Sequence, residues 1–63
     1  MPTIIVEGPP LGDLEKKRKL VAEMSASASA AYGLPLDAMV VLLKESQPEN
    51  VGVGGRLLVD RKK

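Results

Sequence analysis

The residues with most chemical potential stand first, at Met1-Pro2. A proline inside a chain has an amide nitrogen with no proton and no basicity. Removal of Met1 would free the Pro2 nitrogen as a secondary amine, a group no internal residue offers. Such an amine can take a proton from a substrate and return it at another atom, as a general base and then a general acid. To act as a base near neutral pH it must be substantially unprotonated. Withdrawal from water and nearby cations both favour the free base. Pro2 is therefore the candidate catalytic residue, and an apolar pocket is the expected means of tuning it.

The other candidate groups compete poorly. Glu7 and Glu45 could carry protons, but each falls at a strand end, where solvated carboxylates are common. Gly52, Gly54 and Gly55 match neither the dinucleotide nor the phosphate-loop spacing, and no Lys-Ser/Thr follows them. Backbone freedom in a hairpin is their expected use. The run Lys16-Lys17-Arg18-Lys19 lacks the aromatic companions of a nucleic-acid surface. Nine basic against eight acidic side chains leave a net charge of +1. That balance gives no general pull towards nucleic acid or membrane. The chain has no Cys and no His. Disulfides and the usual zinc ligands are thus absent, and no cofactor is expected. Tyr32, the single aromatic residue, reads as core or interface.

The elements that must position Pro2 can be read in order. Thr3-Ile4-Ile5-Val6 is a run of strand formers. Glu7-Gly8-Pro9-Pro10-Leu11-Gly12 reads as a rigid loop. Asp13 is a good helix N-cap, and the period becomes helical from Leu14. Val21, Met24, Ala28 and Ala31, with Leu20 beside them, form its apolar face, and Glu15 suits its first turn. The Ser/Ala stretch from Ser25 to Ala31 lets a neighbouring backbone approach closely. Gly33 is a natural stop, and Pro35 bars continuation. Leu36-Asp37-Ala38 is a short turn. Met39-Val40-Val41-Leu42-Leu43-Lys44 is a second strand, apolar on both faces and so covered on both sides. Ser46 to Asn50 is a loop, and Val51 to Gly55 a tight hairpin or bulge. Arg56-Leu57-Leu58-Val59 forms a short strand or arm, and Asp60-Arg61-Lys62-Lys63 a solvated tail.

Strand, helix, strand is a βαβ unit with parallel strands, within a single domain over residues 1–63. One helix covers one face of the small sheet, and nothing else in the chain can cover the other. A second subunit must supply that layer. Its need is sharpened by size, because 63 residues make a marginal core. At 44% hydrophobic the chain is too apolar to be disordered. No apolar run approaches the ~20 residues that span a bilayer, and no signal-peptide pattern is present. A cytoplasmic location is the default.

Met1-Pro2, the apolar strand, Asp13, Lys17 and Leu20, Leu34-Pro35-Leu36, Val41, Glu45 and Gly52-Val53-Gly54-Gly55 together resemble the 4-oxalocrotonate tautomerase family. The resemblance covers almost the whole chain without a gap. It implies an α+β fold: a β-α-β subunit with parallel strands and a short C-terminal hairpin. It implies dimers sharing a four-stranded sheet, assembled as a hexamer, a trimer of dimers. It further implies an isomerase in which Pro2 is the general base for keto–enol tautomerisation of a small unsaturated 2-oxo or 2-hydroxy acid. The departures are informative. Family enzymes for dicarboxylates carry an arginine near the helix start, another on the second strand, and an apolar, usually aromatic, residue before the hairpin. The corresponding positions here are Gly12, Val40 and Val51. Without the planar forks of two arginines, bidentate reading of two carboxylates is lost. Ile4, Val40 and Val51 are the expected apolar lining, with Val40 and Val51 as the substrate-binding candidates. Lys44 shares the strand face of Val40 but lies roughly 13 Å along it. Lys16, Arg18 or Arg56 could enter a neighbour's site, though solvated surface charge is their expected role. The competing reading is a non-enzymatic oligomeric binding or assembly protein that keeps the fold.

Overall fold

The computed structural model describes residues 1–61. The order of elements is β1 (Thr3–Gly8), α1 (Leu14–Tyr32), β2 (Val40–Glu45), β3 (Gly52–Val53) and β4 (Arg56–Leu57). Short 3-10 turns occupy Leu36–Ala38, Pro48–Asn50 and Leu58–Asp60. The strands β1 and β2 pair in parallel with Thr3 opposite Val40 and Gly8 opposite Glu45. The ladder extends one step at each end: Val40 N–H donates to the Pro2 carbonyl (3.1 Å) and Ser46 N–H to that of Gly8 (2.9 Å). Fold class and topology are those expected from the sequence.

The helix begins and ends where its capping residues dictate. Asp13 is extended (φ −141°, ψ 115°), and its side chain accepts from the Glu15 N–H at 2.9 Å. That contact satisfies one of the orphan donors of the first turn. At the other end Gly33 takes φ 68°, and the N–H groups of Gly33 and Leu34 both return to the Ser29 carbonyl. The Ser29 hydroxyl donates to the Leu34 carbonyl and tightens this corner. The inward face carries Lys17, Leu20, Val21, Met24, Ser25, Ala28 and Ser29, all half-buried. Ala31, expected on that face, is exposed.

Several boundaries differ from expectation for local reasons. The first strand runs on to Gly8, because Glu7 and Gly8 find partners in Lys44 and Glu45. Met39 caps the preceding 3-10 turn and stays outside β2. Of the expected terminal strand only Arg56–Leu57 pairs; Leu58–Asp60 curls into a turn, with Leu58 N–H bonded to the Val51 carbonyl at 2.8 Å. Gly54 and Gly55, with φ 63° and 84°, form the two-residue loop between β3 and β4. Positive φ at both central residues is what a type I′ hairpin requires. Of the expected solvated tail, Arg61 is exposed, while Lys62 and Lys63 lie outside the described residues.

The two faces of the sheet have different fates. Side chains alternate along a strand, and register partners in a parallel pair share a face. Ile4, Val6, Val41 and Leu43 turn towards α1. Thr3, Ile5 and Glu7 with Val40, Leu42 and Lys44 form the other face, where Ile5 is 52% and Leu42 44% exposed. No described residue of the single chain is fully buried. Its radius of gyration is 15.1 Å, whereas a compact chain of this length would have roughly 10.6 Å. The accessible area is 5045 Å² against roughly 3,900 Å² for a compact monomer of this mass. Within one chain there is half a core.

Candidate active site

Pro2 sits at the start of the sheet. Its carbonyl is held by the Val40 N–H, so Pro2 and Val40 are neighbours across the ladder. Met1, which is 88% exposed, precedes it. With Met1 attached, the Pro2 nitrogen is an amide and carries no basic lone pair. Burial around Pro2 is only partial within one chain.

Val51 lies elsewhere. It lines a cavity of about 290 Å³ with Glu7, Gly8, Lys44 and Ser46, at the far end of both strands. From Pro2 to the level of Glu7 is roughly 17 Å at strand rise. One chain therefore brings Val40 to Pro2 and keeps Val51 away from both. Ile4 and Val40 also part, because Ile4 turns under the helix beside Leu20, Met24 and Ala28 while Val40 stands on the open face. A site containing Pro2, Val40 and Val51 needs two chains. The signal was present in the sequence: parallel strands gather their starts at one end, and Val51 comes after the second strand has finished.

The same far end contains an ion pair that reading along the chain did not connect. Glu45 Oε1 is 3.1 Å from Lys17 Nζ, and Glu45 Oε2 accepts from the Leu11 N–H at 3.0 Å. The carboxylate thus ties together the end of β2, the first turn of α1 and the loop between β1 and α1. The Leu11 N–H, followed by the Lys17 ammonium, holds the Glu45 carboxyl below the usual carboxylate range against a smaller opposing effect of burial. Glu45 is accordingly tied to Lys17 and Leu11, and is not the freely solvated carboxylate expected from its strand-end position. Lys17 and Glu45 stand 28 residues apart in the chain, and no periodicity links them. Arg18 pairs with Glu15 one turn earlier on the same helix.

The chain matches the family model described as "Tautomerase enzyme" over residues 2–61. The chain belongs to the tautomerase family. The matched segment starts at Pro2 and leaves Met1 outside. Among solved tautomerase-fold structures, DmpI from Archaeoglobus fulgidus is 44% identical over 94% of this chain and 100% of its own, with a TM-score of 0.82. TomN, a 4-oxalocrotonate tautomerase homologue of the tomaymycin biosynthetic pathway, is 30% identical over 95% of this chain and 92% of its own, with a TM-score of 0.84. A heterohexameric 4-oxalocrotonate tautomerase from Chloroflexus aurantiacus J-10-fl is 26% identical over 98% of this chain and 100% of its own, again at 0.84. Comparison with curated proteins gave no match. No helix among the described residues is long and apolar enough to cross a membrane.

Proposed function

We propose that this tautomerase-family chain, once Met1 is removed, is a keto–enol isomerase whose general base is the Pro2 amine. The observation that carries this reading is the placement of Pro2. It is the first residue of the family match, and it is fixed to Val40 at the start of the sheet. The substrate is a small unsaturated 2-oxo or 2-hydroxy acid. The amine takes the enol hydroxyl proton and delivers it to a carbon of the conjugated system, leaving the ketone. Val40 and Val51, from different chains, form the apolar walls that keep water from the amine. That exclusion disfavours the charged ammonium and leaves the base free. The acting unit is a cytoplasmic homo-oligomer, a hexamer built as a trimer of dimers, each chain contributing one domain over residues 1–63.

One observation favours a second reading, a non-enzymatic oligomer. Gly12 and Val40 stand at the positions where the family resemblance implies the two arginines of dicarboxylate-specific enzymes. The two readings separate on the fate of Met1 and on Pro2→Ala. Intact mass should show Met1 absent from protein made in its host. Processed protein should convert 2-hydroxydienoates or the enol of phenylpyruvate to the ketone. Pro2→Ala retains a primary amine and loses the secondary one, and should lower kcat/KM by about 10²-fold, within the usual range for a positioned base. Retained Met1, or equal activity in Pro2→Ala, would overturn the enzymatic reading.

A further inference from the structure

We infer that Lys44, supplied by the second chain of each site, binds the carboxylate of a monocarboxylic substrate. This rests on Pro2 being the base. In a four-stranded sheet shared by two chains about a two-fold axis perpendicular to it, the strands of one chain run antiparallel to those of its partner. The start of one sheet then meets the end of the other. Pro2 and Val40 of one chain are thereby brought to the partner's cavity around Val51. The basic side chain lining that cavity is Lys44.

The other described cations are less suited. Lys17 is held by Glu45 and Arg18 by Glu15. Lys16 and Lys19 are exposed on the helix, Arg56 lies on the hairpin beyond Val53, and Arg61 is exposed after the last 3-10 turn. Lys44 stands opposite Glu7 in register, yet the two form no ion pair within 4 Å. Its ammonium is available to an anion. Glu7 acts against that anion by like charge, and so limits the affinity. One ammonium in a cavity that also holds the Glu7 carboxylate, with Val51 and the partner's Val40 as its apolar walls, matches a substrate with one carboxylate and an apolar tail, such as an aryl- or alkyl-substituted pyruvate enol. A second carboxylate would be pressed against Val40 and Val51 without a partner, which is unfavourable. The separation of roughly 13 Å along the strand that removed Lys44 as a same-chain substitute at position 40 does not apply across the pair.

The test compares Lys44→Gln, Lys44→Arg and Glu7→Gln in processed protein, using the enol of phenylpyruvate and its methyl ester. Lys44→Gln should raise KM for the acid about tenfold or more, as loss of a charge-assisted contact does, with kcat changed far less. The ester should be indifferent to the change. Lys44→Arg should restore most of the affinity, and Glu7→Gln should lower KM for the acid. Oligomers refolded from a mixture of Pro2→Ala and Lys44→Gln chains should regain sites of wild-type KM, because the two intact residues meet in trans. Equilibrium binding of 3-phenylpropanoate, followed by amide NMR shifts, gives a readout independent of turnover and should weaken in Lys44→Gln by a similar factor. Unchanged KM and unchanged binding in Lys44→Gln would overturn this inference while leaving the Pro2 reading intact. Loss of enolisation chemistry in the wild type, with carboxylate binding still dependent on Lys44, would overturn the Pro2 reading and keep Lys44 as an anion site.

Discussion

Glu45 shows what a single carboxylate does when two elements and a loop converge on it. Its folded-state pKa lies below the ordinary carboxyl value because the Leu11 N–H and the Lys17 ammonium favour the charged form. A depressed pKa contributes stability above the unfolded value and loses it as pH falls through the folded value. Melting temperature at fixed protein concentration should therefore fall as pH drops below about 4.3, the unfolded glutamate value. Glu45→Gln should flatten that acid limb, and a limb as steep as the wild type's would show that the anchor contributes nothing. The position of Gly12 gives a second residue-scale constraint. It has φ 70°, a conformation that costs a side-chain-bearing residue roughly 1–2 kcal/mol. Restoring an arginine there is thus opposed by the backbone before any substrate is considered. Gly12→Asn should be tolerated better than Gly12→Arg, and Gly12→Val should be worst, as read by urea midpoint.

At the scale of elements, what the sequence made legible was what local chemistry decides. Asp13 and Gly33 define the helix from within three residues, and both perform the capping expected of them. Asp13→Ala should cost about 1 kcal/mol of protomer stability by removing an acceptor from the first turn. Chemical denaturation at constant protomer concentration would measure it, since assembly makes apparent stability depend on concentration. The apolar run from Met39 to Lys44 was readable as a strand, but only its Val41 and Leu43 face is covered by α1, and the Leu42 face stays open within one chain. Contacts across long sequence separation were not readable. The hydrogen bond from Leu11 to Glu45 spans 34 residues, and no periodicity announces it. The candidate site was readable one step further: the parallel pairing inferred for the two strands already separates Pro2 and Val40, at their starts, from Val51, which follows the end of the second strand.

For the whole molecule, the half-finished core is the dominant fact. Ile5 and Leu42 are register partners on the open face, and their side chains meet no second layer from their own chain. The single chain exposes roughly 1,100 Å² more than a compact monomer should, more than the ~800 Å² each partner gives to a standard interface. A charge at either position would have to be desolvated in the assembly or would keep the layers apart. Ile5→Lys and Leu42→Lys should each shift sedimentation velocity towards the monomer, whereas Lys19→Glu, on the outward side of the helix, should leave assembly unchanged. The catalytic consequence follows from the two-chain site. If Pro2 works only beside a partner's Val51, specific activity in Ile5→Lys should fall on dilution in step with the oligomer, and recover on concentration. Full activity in a demonstrably monomeric sample would mean that one chain shelters its own proline, and the shared cleft would have to be abandoned.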